Sequence, residues 1–330
     1  MSESRLVDKY GRRLNYLRLS VTDRCNFRCY YCMPEEGVDF AKRSELLSFD
    51  EMYHLSEIFC DMGVSKIRIT GGEPFVRPGI IPFLDKLSKV EGLNEITVTS
   101  NGTLSTKYQA ALLRMGIRKI NISLDSLDKS RFHQITRRNS FDEVYNGIFK
   151  LLQDGFDVKL NCVVAENKNI GDIIPFIELT KDYPLSVRFL EEMPFNGTQA
   201  QIKADWDYKR ILNYIGQHYP YVNRLMSEAS STSVNYKVPG YKGSFGVIPS
   251  FSRTFCGTCN RLRLSAIGEL RTCLYGPPVV NLRDVLRRDA SISDVEQEIL
   301  NAVAQRQPNG YAAEALANNS VHQSMSVLGG

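Results

Sequence analysis

Cysteines recur at short spacing in Cys25-Asn26-Phe27-Arg28-Cys29-Tyr30-Tyr31-Cys32, and the other features of the chain are arranged around this segment. The spacing is C-x3-C-x2-C, directly after a strand predicted over residues 14–22. Three thiols cannot all pair with one another, which excludes a closed set of disulfides. Clustered thiolates suit a soft metal or an iron–sulfur cluster. On a four-iron cluster, three cysteine ligands would leave one iron open to a ligand that is not protein.

A structural zinc site is the alternative interpretation of this triplet. Such a site uses four cysteines, or three cysteines and a histidine. The next histidine in the chain is His54, which lies far along the following predicted helix. The spacing alone leaves both the zinc site and the iron–sulfur cluster open.

The triplet, with the aromatic Tyr31 before its last cysteine, resembles the motif of the radical S-adenosylmethionine (SAM) enzymes. The resemblance implies a 4Fe-4S cluster on Cys25, Cys29 and Cys32 whose open iron binds the methionine part of SAM. In that family, an electron passed to SAM breaks a carbon–sulfur bond and releases a 5′-deoxyadenosyl radical. The protein supplies orientation and excludes water.

The composition indicates an ordinary globular protein. The chain has 330 residues, of which 43% are apolar and 24% are charged. Its formal charge of +4 is mild, which weakly favours an anionic small molecule and argues against a nucleic-acid-binding surface. We see no long apolar run and no signal peptide, so we expect a cytoplasmic protein without a membrane segment. In that setting, eight cysteines indicate metal or redox ligands.

Strand-like and helix-like segments alternate six times before residue 194. Strands are predicted over residues 14–22, 65–71, 94–100, 118–125, 157–164 and 185–193. Helical patterns lie between them, near residues 48–61, 79–89, 105–115, 128–153 and 169–181. Six βα repeats indicate a parallel sheet, either open or curled into a barrel.

The strands alternate apolar with polar residues, whereas buried parallel strands are usually continuously apolar. Leu17-Arg18-Leu19-Ser20 and Ile67-Arg68-Ile69-Thr70 show the pattern, which places all the polar side chains on one face. Because the apolar face must meet the helices, the polar face must line a wet interior. We therefore predict an α/β fold with an incomplete (β/α)6 TIM-type barrel. The radical SAM resemblance implies the same architecture.

The C-terminal part of the chain is less regular. A helix is predicted over 205–217, short strands within 245–275, and two further helices near 281–288 and 292–305. These elements predict an α+β extension that closes the barrel opening. We therefore predict two domains. Residues 1–194 form the partial barrel with the first cluster, and residues 195–330 form the C-terminal region with a second cluster and a glycine tail. The last 22 residues or so are expected to be mobile.

A second group of cysteines follows at Cys256, Cys259 and Cys273, with the spacing C-x2-C-x13-C. A zinc ribbon would need another C-x2-C pair after the hairpin, and the sequence has none there. Cys60 is expected to be a buried apolar residue, and Cys162 points to the helix-facing side of its strand. The simplest interpretation is a second cluster with three cysteines and one open iron.

With these two triplets, the chain resembles the GTP 3′,8-cyclase family of molybdenum cofactor biosynthesis. The similarity covers nearly the whole chain and rests on these motifs: Asp8-Lys9-Tyr10-Gly11-Arg12, Ser20 to Cys25, Arg68 to Pro74, Ser123-Leu124-Asp125-Ser126, Phe255 to Arg263, and Gly329-Gly330. It implies conversion of GTP to (8S)-3′,8-cyclo-7,8-dihydroguanosine 5′-triphosphate, with two 4Fe-4S clusters and SAM as co-substrate. It also implies a reducing electron donor and transfer of the product to the cyclic pyranopterin monophosphate synthase. The chain could be a monomer or a homodimer.

The resemblance also assigns site residues. SAM would be bound by Tyr31, Gly72, Ser123 and Met193, and GTP by Arg18, Arg68, Thr99, Lys159, Arg261 and Arg263. The strand parity adds Arg188 to the GTP set, because six interior cations suit a triphosphate with about four negative charges. In that family guanine binds the open iron of the second cluster. Arg261, Arg263, Gly329 and Gly330 are the predicted catalytic residues, with the double glycine reaching into the active site.

Two other functions compete with this interpretation. A peptide-maturing radical SAM protein with two clusters usually carries more than three C-terminal cysteines. A zinc or iron–sulfur scaffold, or an electron carrier, would have fully ligated metals and would leave the polar interior unexplained. Iron and sulfide counts would separate this non-enzymatic alternative from the two radical SAM enzymes.

Overall fold

The structure is a computed structural model, and it describes residues 5–193, 205–317 and 323–328. These residues form one twelve-stranded sheet with helices packed against it. The strands are β1 (Tyr16–Ser20), β2 (Lys66–Thr70), β3 (Glu95–Ser100), β4 (Lys119–Ser123), β5 (Asp157–Val164), β6 (Ser186–Glu191), β7 (Asn223–Arg224), β8 (Val234–Lys237), β9 (Ser244–Ile248), β10 (Arg261–Leu264), β11 (Glu269–Arg271) and β12 (Val280–Asn281).

Six helices lie in the five connections between the first six strands, and further helices follow in the C-terminal region. Their bounds are α1 (Phe49–Asp61), α2 (Ile80–Leu87), α3 (Ser105–Arg114), α4 (Lys129–Thr136), α5 (Phe141–Gln153), α6 (Ile173–Asp182), α7 (Tyr208–His218), α8 (Leu282–Leu286), α9 (Ile292–Ala304), α10 (Gly310–Ala315) and α11 (Met325–Leu328). One of the five connections holds both α4 and α5, so the six predicted βα repeats are present.

The strand order is β12-β11-β10-β1-β2-β3-β4-β5-β6-β9-β8-β7. β1 to β6 are parallel and pair in sequence order, as the alternating pattern predicts. Two C-terminal strands extend the parallel part, because β10 pairs with β1 and β9 pairs with β6, both in parallel. The C-terminal region therefore shares one sheet with the first 194 residues, which the sequence did not predict.

The two ends of this sheet order meet in space. Arg261, on β10, donates a hydrogen bond of 3.0 Å from Nη2 to the carbonyl oxygen of Ser230, in the loop between β7 and β8. These elements lie near opposite ends of the strand order, so the sheet curves until the ends approach each other.

The apolar face of the sheet carries the core. Leu17, Leu19, Ile67 and Ile69 are all 0% exposed, and they alternate with Arg18 and Arg68 on the other face. Burial of each such side chain contributes about 1.5–3 kcal/mol, so exchanging the two faces would be very costly. The alternation therefore fixes which side of the sheet faces the helices.

One predicted helix, over 128–153, is two helices in the structure. α4 ends at Arg137, which has a positive φ of 55° and lies in the left-handed region. The carbonyls of Ile135 and Thr136 accept hydrogen bonds from the backbone N–H groups of Tyr30 and Arg28. The last turn of α4 thus binds the cysteine loop instead of continuing into α5. The prediction that the last 22 residues or so are mobile is also partly wrong, since Gly310–Ala315 forms the helix α10.

Candidate active site

The first cysteine triplet lies in the loop after β1, with all three thiols partly buried. The backbone N–H of Cys32 donates to the carbonyl of Cys29 at 3.0 Å, which folds the loop into a turn. Burial raises the pKa of the Cys25 thiol to about 12 and the pKa of Cys29 well above its usual value. A bound metal would offset this effect, because a coordinated thiol ionises readily.

The turn Gly71-Gly72-Glu73-Pro74, after β2, packs against the residues that lead into the triplet. Gly72 donates its N–H to the carbonyl of Thr22 and Glu73 donates to the carbonyl of Arg24, both at 2.8 Å. A Cβ on Gly72 would lie 2.4 Å from the carbonyl oxygen of Arg24. The close approach of two backbones therefore requires glycine here, and it places Gly72 beside the triplet.

Glu73 connects this turn to β3 and to the cysteine loop. Its buried carboxylate accepts hydrogen bonds from the hydroxyl of Ser100 at 3.0 Å and from the backbone N–H of Asn101 at 2.7 Å. Asn101 in turn donates to the side-chain carbonyl of Asn26 at 2.7 Å, between the first two cysteines. Burial outweighs these hydrogen bonds and raises the pKa of Glu73 to about 7. Glu73 is thus the centre of a buried network that holds the triplet.

The second triplet forms on the C-terminal side of the sheet. Cys256 begins a single 3-10 turn just before β10, Cys259 directly follows that turn, and Cys273 follows β11. Burial opposes ionisation of Cys259, but the positive charges of Arg306 and Arg261 outweigh it and lower the pKa of this thiol. Burial raises the pKa of the Cys256 thiol, and the neighbouring thiols of Cys273 and Cys259 raise it further, as expected of residues that lie together.

Within residues 5–193, 205–317 and 323–328, no group of three histidine, cysteine, aspartate or glutamate side chains is arranged to hold a single ion. A zinc ion needs its sulfur ligands about 2.3 Å from one centre. An iron–sulfur cluster is larger and holds its cysteines farther apart, and a set of three thiols is one that such a cluster can take.

The strand register places the predicted interior residues on one face. Across neighbouring strands, Arg18 is aligned with Arg68 and Arg263. Residues aligned in this way share a face of the sheet. Farther along the same face, Lys159 is aligned with Asn121, which is aligned with Thr99, and Arg188 is aligned with Asn161. Arg261 shares this face with Arg263, two residues away on β10.

Contacts across this face bring predicted GTP ligands together. Nη1 of Arg68 donates to the hydroxyl of Thr99 at 3.2 Å. Burial, together with the positive charges of Arg68 and Arg261, lowers the pKa of Arg188 to about 10. Arg188 on β6 and Arg261 on β10 thus belong to one cationic face.

Two of these arginines lack partners for buried donors. In the part of the chain that the structure describes, Nε of Arg18 and Nε of Arg188 have no hydrogen-bond partner. Buried guanidinium groups beside like charges are costly unless an anion compensates them. The arrangement therefore suits an anionic ligand, since the forked donors of arginine match phosphate oxygens.

Tyr16 is a member of this site that the sequence analysis did not identify. Its hydroxyl accepts a hydrogen bond from Nε of Arg68, and the guanidinium of Arg261 lies 5.3 Å from its ring centre. Burial alone would raise the pKa of Tyr16, but the charges of Arg68, Arg18 and Arg261 lower it to about 8. Tyr16 lies two residues before Arg18 on β1, so its side chain points to the same face of the sheet. This spacing was the sequence signal that could have revealed its place in the site.

The remaining predicted SAM residues lie at the ends of neighbouring strands. Ser123 is the last residue of β4, and Met193 follows β6. Tyr31 is tied to the end of β4 through a hydrogen bond of 2.8 Å from its hydroxyl to Asp125. The carboxyl ends of β2, β4 and β6 thus surround the first triplet, which is where α/β barrels build their active sites.

The C-terminal segment reaches both triplets. The hydroxyl of Ser324 donates to the carbonyl of Cys32 at 2.6 Å. Leu328 is buried against Tyr275, in a cluster that also contains Met193 and Cys273. The predicted Gly329-Gly330 tail lies outside the described residues, directly after this segment.

Comparison with known proteins agrees with the arrangement of the cysteine triplets and the parallel sheet. A cysteine triplet after the first strand of a mostly parallel α/β sheet defines a radical SAM protein, and residues 19–180 match the Radical SAM superfamily. Residues 185–312 match Molybdenum Cofactor Synthesis C. The chain belongs to the GTP 3′,8-cyclase family. Membership implies iron–sulfur clusters and SAM as cofactors.

Relatives over most of the chain come from bacteria, plants and animals. The GTP 3′,8-cyclase of Petrotoga mobilis is 42% identical, over 84% of this chain and 87% of its own length. The mitochondrial GTP 3′,8-cyclase of Arabidopsis thaliana is 39% identical, over 98% of this chain and 83% of its own. Molybdenum cofactor biosynthesis protein 1 of Bos taurus is 44% identical over 90% of this chain, but the match spans only 47% of that protein. The chain thus spans about half the length of several curated relatives it matches.

Among solved structures, SuiB of Streptococcus suis has a similar fold, with a TM-score of 0.61 and 15% identity, over 93% of this chain and 69% of that one. At this identity the similarity concerns the fold alone. In residues 5–193, 205–317 and 323–328, no helix combines the length and apolarity needed to span a membrane.

Proposed function

We propose that the protein is a radical SAM GTP 3′,8-cyclase. It converts GTP to (8S)-3′,8-cyclo-7,8-dihydroguanosine 5′-triphosphate, an early step of molybdenum cofactor biosynthesis. The observation that carries this proposal is the face of aligned cations on β1, β2, β5, β6 and β10, which the sheet curves around. The two relatives named GTP 3′,8-cyclase, each matched over more than four fifths of its length, support it.

The first triplet and the ends of β2, β4 and β6 form the proposed SAM site. Cys25, Cys29 and Cys32 hold a 4Fe-4S cluster, which with SAM supplies the 5′-deoxyadenosyl radical when both are bound. The chain's own part is to orient SAM and to exclude water. Gly72 offers backbone groups without a side chain in the way, and Tyr31, Ser123 and Met193 complete the set.

GTP occupies the cationic face in this proposal. The predicted ligands are Arg18, Arg68, Thr99, Lys159, Arg188, Arg261 and Arg263. The unpartnered donors of Arg18 and Arg188 would be satisfied by phosphate oxygens, which removes the cost of leaving them buried. A fixed triphosphate determines how far the ribose can reach toward SAM, so these side chains position C3′ as well as bind charge.

The second triplet and the C-terminal tail complete the site. Cys256, Cys259 and Cys273 hold a second 4Fe-4S cluster on the guanine side. Arg261 and Arg263 lie two and four residues after Cys259 and face the same interior, so they can act on the reacting nucleotide. The contact between Ser324 and Cys32 supports a path for Gly329 and Gly330 into the active site.

The proposed architecture is a partial barrel with a C-terminal extension. The first six βα repeats form an incomplete (β/α)6 barrel over residues 1–194, and residues 195–330 form the extension that closes it. A reducing protein or chemical donor supplies electrons, and the product passes to the cyclic pyranopterin monophosphate synthase. The expected cytoplasmic location stays a prediction that fractionation of native cells would test.

The decisive experiment measures 5′-deoxyadenosine released by anaerobically reconstituted, reduced protein given SAM, with and without GTP. The cyclase predicts strong stimulation by GTP and transfer of deuterium from ribose C3′ into 5′-deoxyadenosine. SAM cleavage that ignores GTP would move the substrate to another molecule. A protein with its full iron content that does not cleave SAM would overturn the proposal.

A further inference from the structure

The motif Asp8-Lys9-Tyr10-Gly11-Arg12 places one buried carboxylate between two buried arginines. Nε of Arg12 lies 2.6 Å from Oδ2 of Asp8, and Nε of Arg306 lies 3.6 Å from the same oxygen. The side chain of Asp8 is 0% exposed, and those of Arg12 and Arg306 are 8% and 3% exposed. Oδ1 of Asp8 also accepts the backbone N–H of Arg12 at 3.0 Å. One carboxylate thus fixes two guanidinium groups that are 294 positions apart in the chain.

Both guanidinium groups bind the loop of the second triplet. Nη1 of Arg12 donates to the carbonyl of Cys256 at 3.0 Å, and Nη2 of Arg306 donates to the carbonyl of Cys259 at 2.9 Å. Arg12 also donates to the carbonyl of Gln307 at 2.7 Å, which ties the N-terminal turn to the residue after Arg306. The arginines therefore hold both ends of the C-x2-C turn from one side.

The charges in this group do not balance. Asp8 contributes one negative charge against two positive charges, so one buried cation is left beside Cys259. Nη1 of Arg306 has no hydrogen-bond partner among the described residues. A purely structural tie between backbone segments explains the carbonyl contacts but not this surplus charge, which is costly without a nearby anion.

We propose that Asp8 and Arg12 hold Arg306 as a buried cation that positions the Cys256–Cys259 turn and raises the reduction potential of the cluster bound there. The inference rests on the proposed second cluster and deepens it. Reduction adds negative charge to a cluster, and a neighbouring cation stabilises the reduced form. Arg306 is thus a positioning residue that acts through the cluster, and it does not contact GTP or SAM in this proposal.

The test uses the full chain with Cys25, Cys29 and Cys32 all replaced by alanine, so that only the second cluster is reconstituted. Iron and sulfide are counted, and the midpoint potential is measured by a redox titration followed by electron paramagnetic resonance. We expect Arg306→Gln to shift the midpoint potential to a more negative value. Arg306→Lys keeps the positive charge, so its midpoint potential should stay close to that of the parent. Arg5→Ala is the matched control, because it breaks an exposed ion pair between the N-terminal segment and Glu296 on α9.

An unchanged potential in Arg306→Gln with full iron content would overturn the inference. If Arg306→Gln does not retain the cluster, Arg306→Lys decides. Retention of the cluster with a near-parental potential supports the role of the charge, and loss of the cluster overturns it. A parent protein that binds no iron at the second triplet would instead contradict the proposed second cluster, so the two failures are distinguishable.

Discussion

The hydroxyl of Tyr31 donates a hydrogen bond of 2.8 Å to Oδ2 of Asp125, which joins the last turn of the first cysteine triplet to the end of β4. Oδ1 of the same carboxylate accepts the backbone N–H of Val163 on β5 at 2.8 Å. One buried side chain thus fixes the triplet relative to two parallel strands, and its removal should loosen the loop and weaken the fold.

We expect Asp125→Ala to lower the free energy of unfolding of the metal-free chain by about 3 kcal/mol, because two buried donors lose their acceptor. Asp125→Asn should cost only about 1 kcal/mol, since the amide can still pair with both groups. Urea unfolding followed by circular dichroism measures both values. The exposed Asp154→Ala is the control. Equal stability of the Ala and Asn variants would contradict this role of Asp125.

Glu73 should make stability depend on pH. Burial raises its pKa to about 7, from the ordinary value of 4.5 for a glutamate. The folded chain therefore keeps the proton that the unfolded chain releases above pH 4.5, and this contribution to stability is lost as the pH rises toward 7. Across that window the metal-free wild type should lose about 3 kcal/mol relative to Glu73→Gln.

Urea unfolding of wild type and Glu73→Gln at several pH values between 4.5 and 7.5 tests this expectation. The quantity to compare is the difference between the two unfolding free energies, since other groups titrate in both proteins. A difference that stays constant over the window would show that Glu73 is ionised in the fold.

The two triplets should hold separate shares of the iron. Cys29→Ala and Cys259→Ala should each retain about half of the iron and sulfide of the reconstituted wild type. Cys60→Ala, a buried cysteine on α1, should retain all of it. Cys29→Ala should also abolish SAM cleavage, whereas Cys259→Ala should lose only the stimulation by GTP. A full iron content in either triplet variant would refute the assignment of ligands.

Tyr16→Phe should weaken GTP binding while leaving the fold intact. The ring that packs beside Arg261 remains, but Nε of Arg68 loses its acceptor. Because a hydrogen bond to a charged group is worth about 1.5 kcal/mol or more, we expect GTP affinity to fall about tenfold. Equilibrium dialysis of reconstituted protein measures this change. Tyr221→Phe, whose side chain is 82% exposed, should bind like wild type, and unchanged affinity in Tyr16→Phe would exclude the role.

Local periodicity was sufficient to predict the first six strands and the face they share. The alternation around Arg18 and Arg68 follows from strand geometry and needs no long-range contact. The cysteine spacings were likewise local signals for two clusters. The division of 128–153 into two helices could not be predicted in this way, because α4 ends where its carbonyls meet the cysteine loop about 100 residues earlier in the chain.

The C-terminal strands were also beyond local reasoning. β9 and β10 have only five and four residues, and their places beside β6 and β1 depend on partners more than 50 and 240 residues away. Tyr16 was missed for a different reason. A tyrosine in a strand usually indicates packing, and only its contact with Arg68 shows that its hydroxyl serves a polar site.

The pairing of β10 with β1 and of β9 with β6 has a consequence for synthesis of the chain. Until residues 244–264 have left the ribosome, the first parallel strands carry two open edges with unpaired backbone groups. In this state, a strand of another protein can pair with either edge of the nascent sheet, so we expect chaperones to bind the nascent chain. Chains stalled before Ser244 should therefore bind chaperones more strongly than chains released after Leu264, which crosslinking on the ribosome can measure.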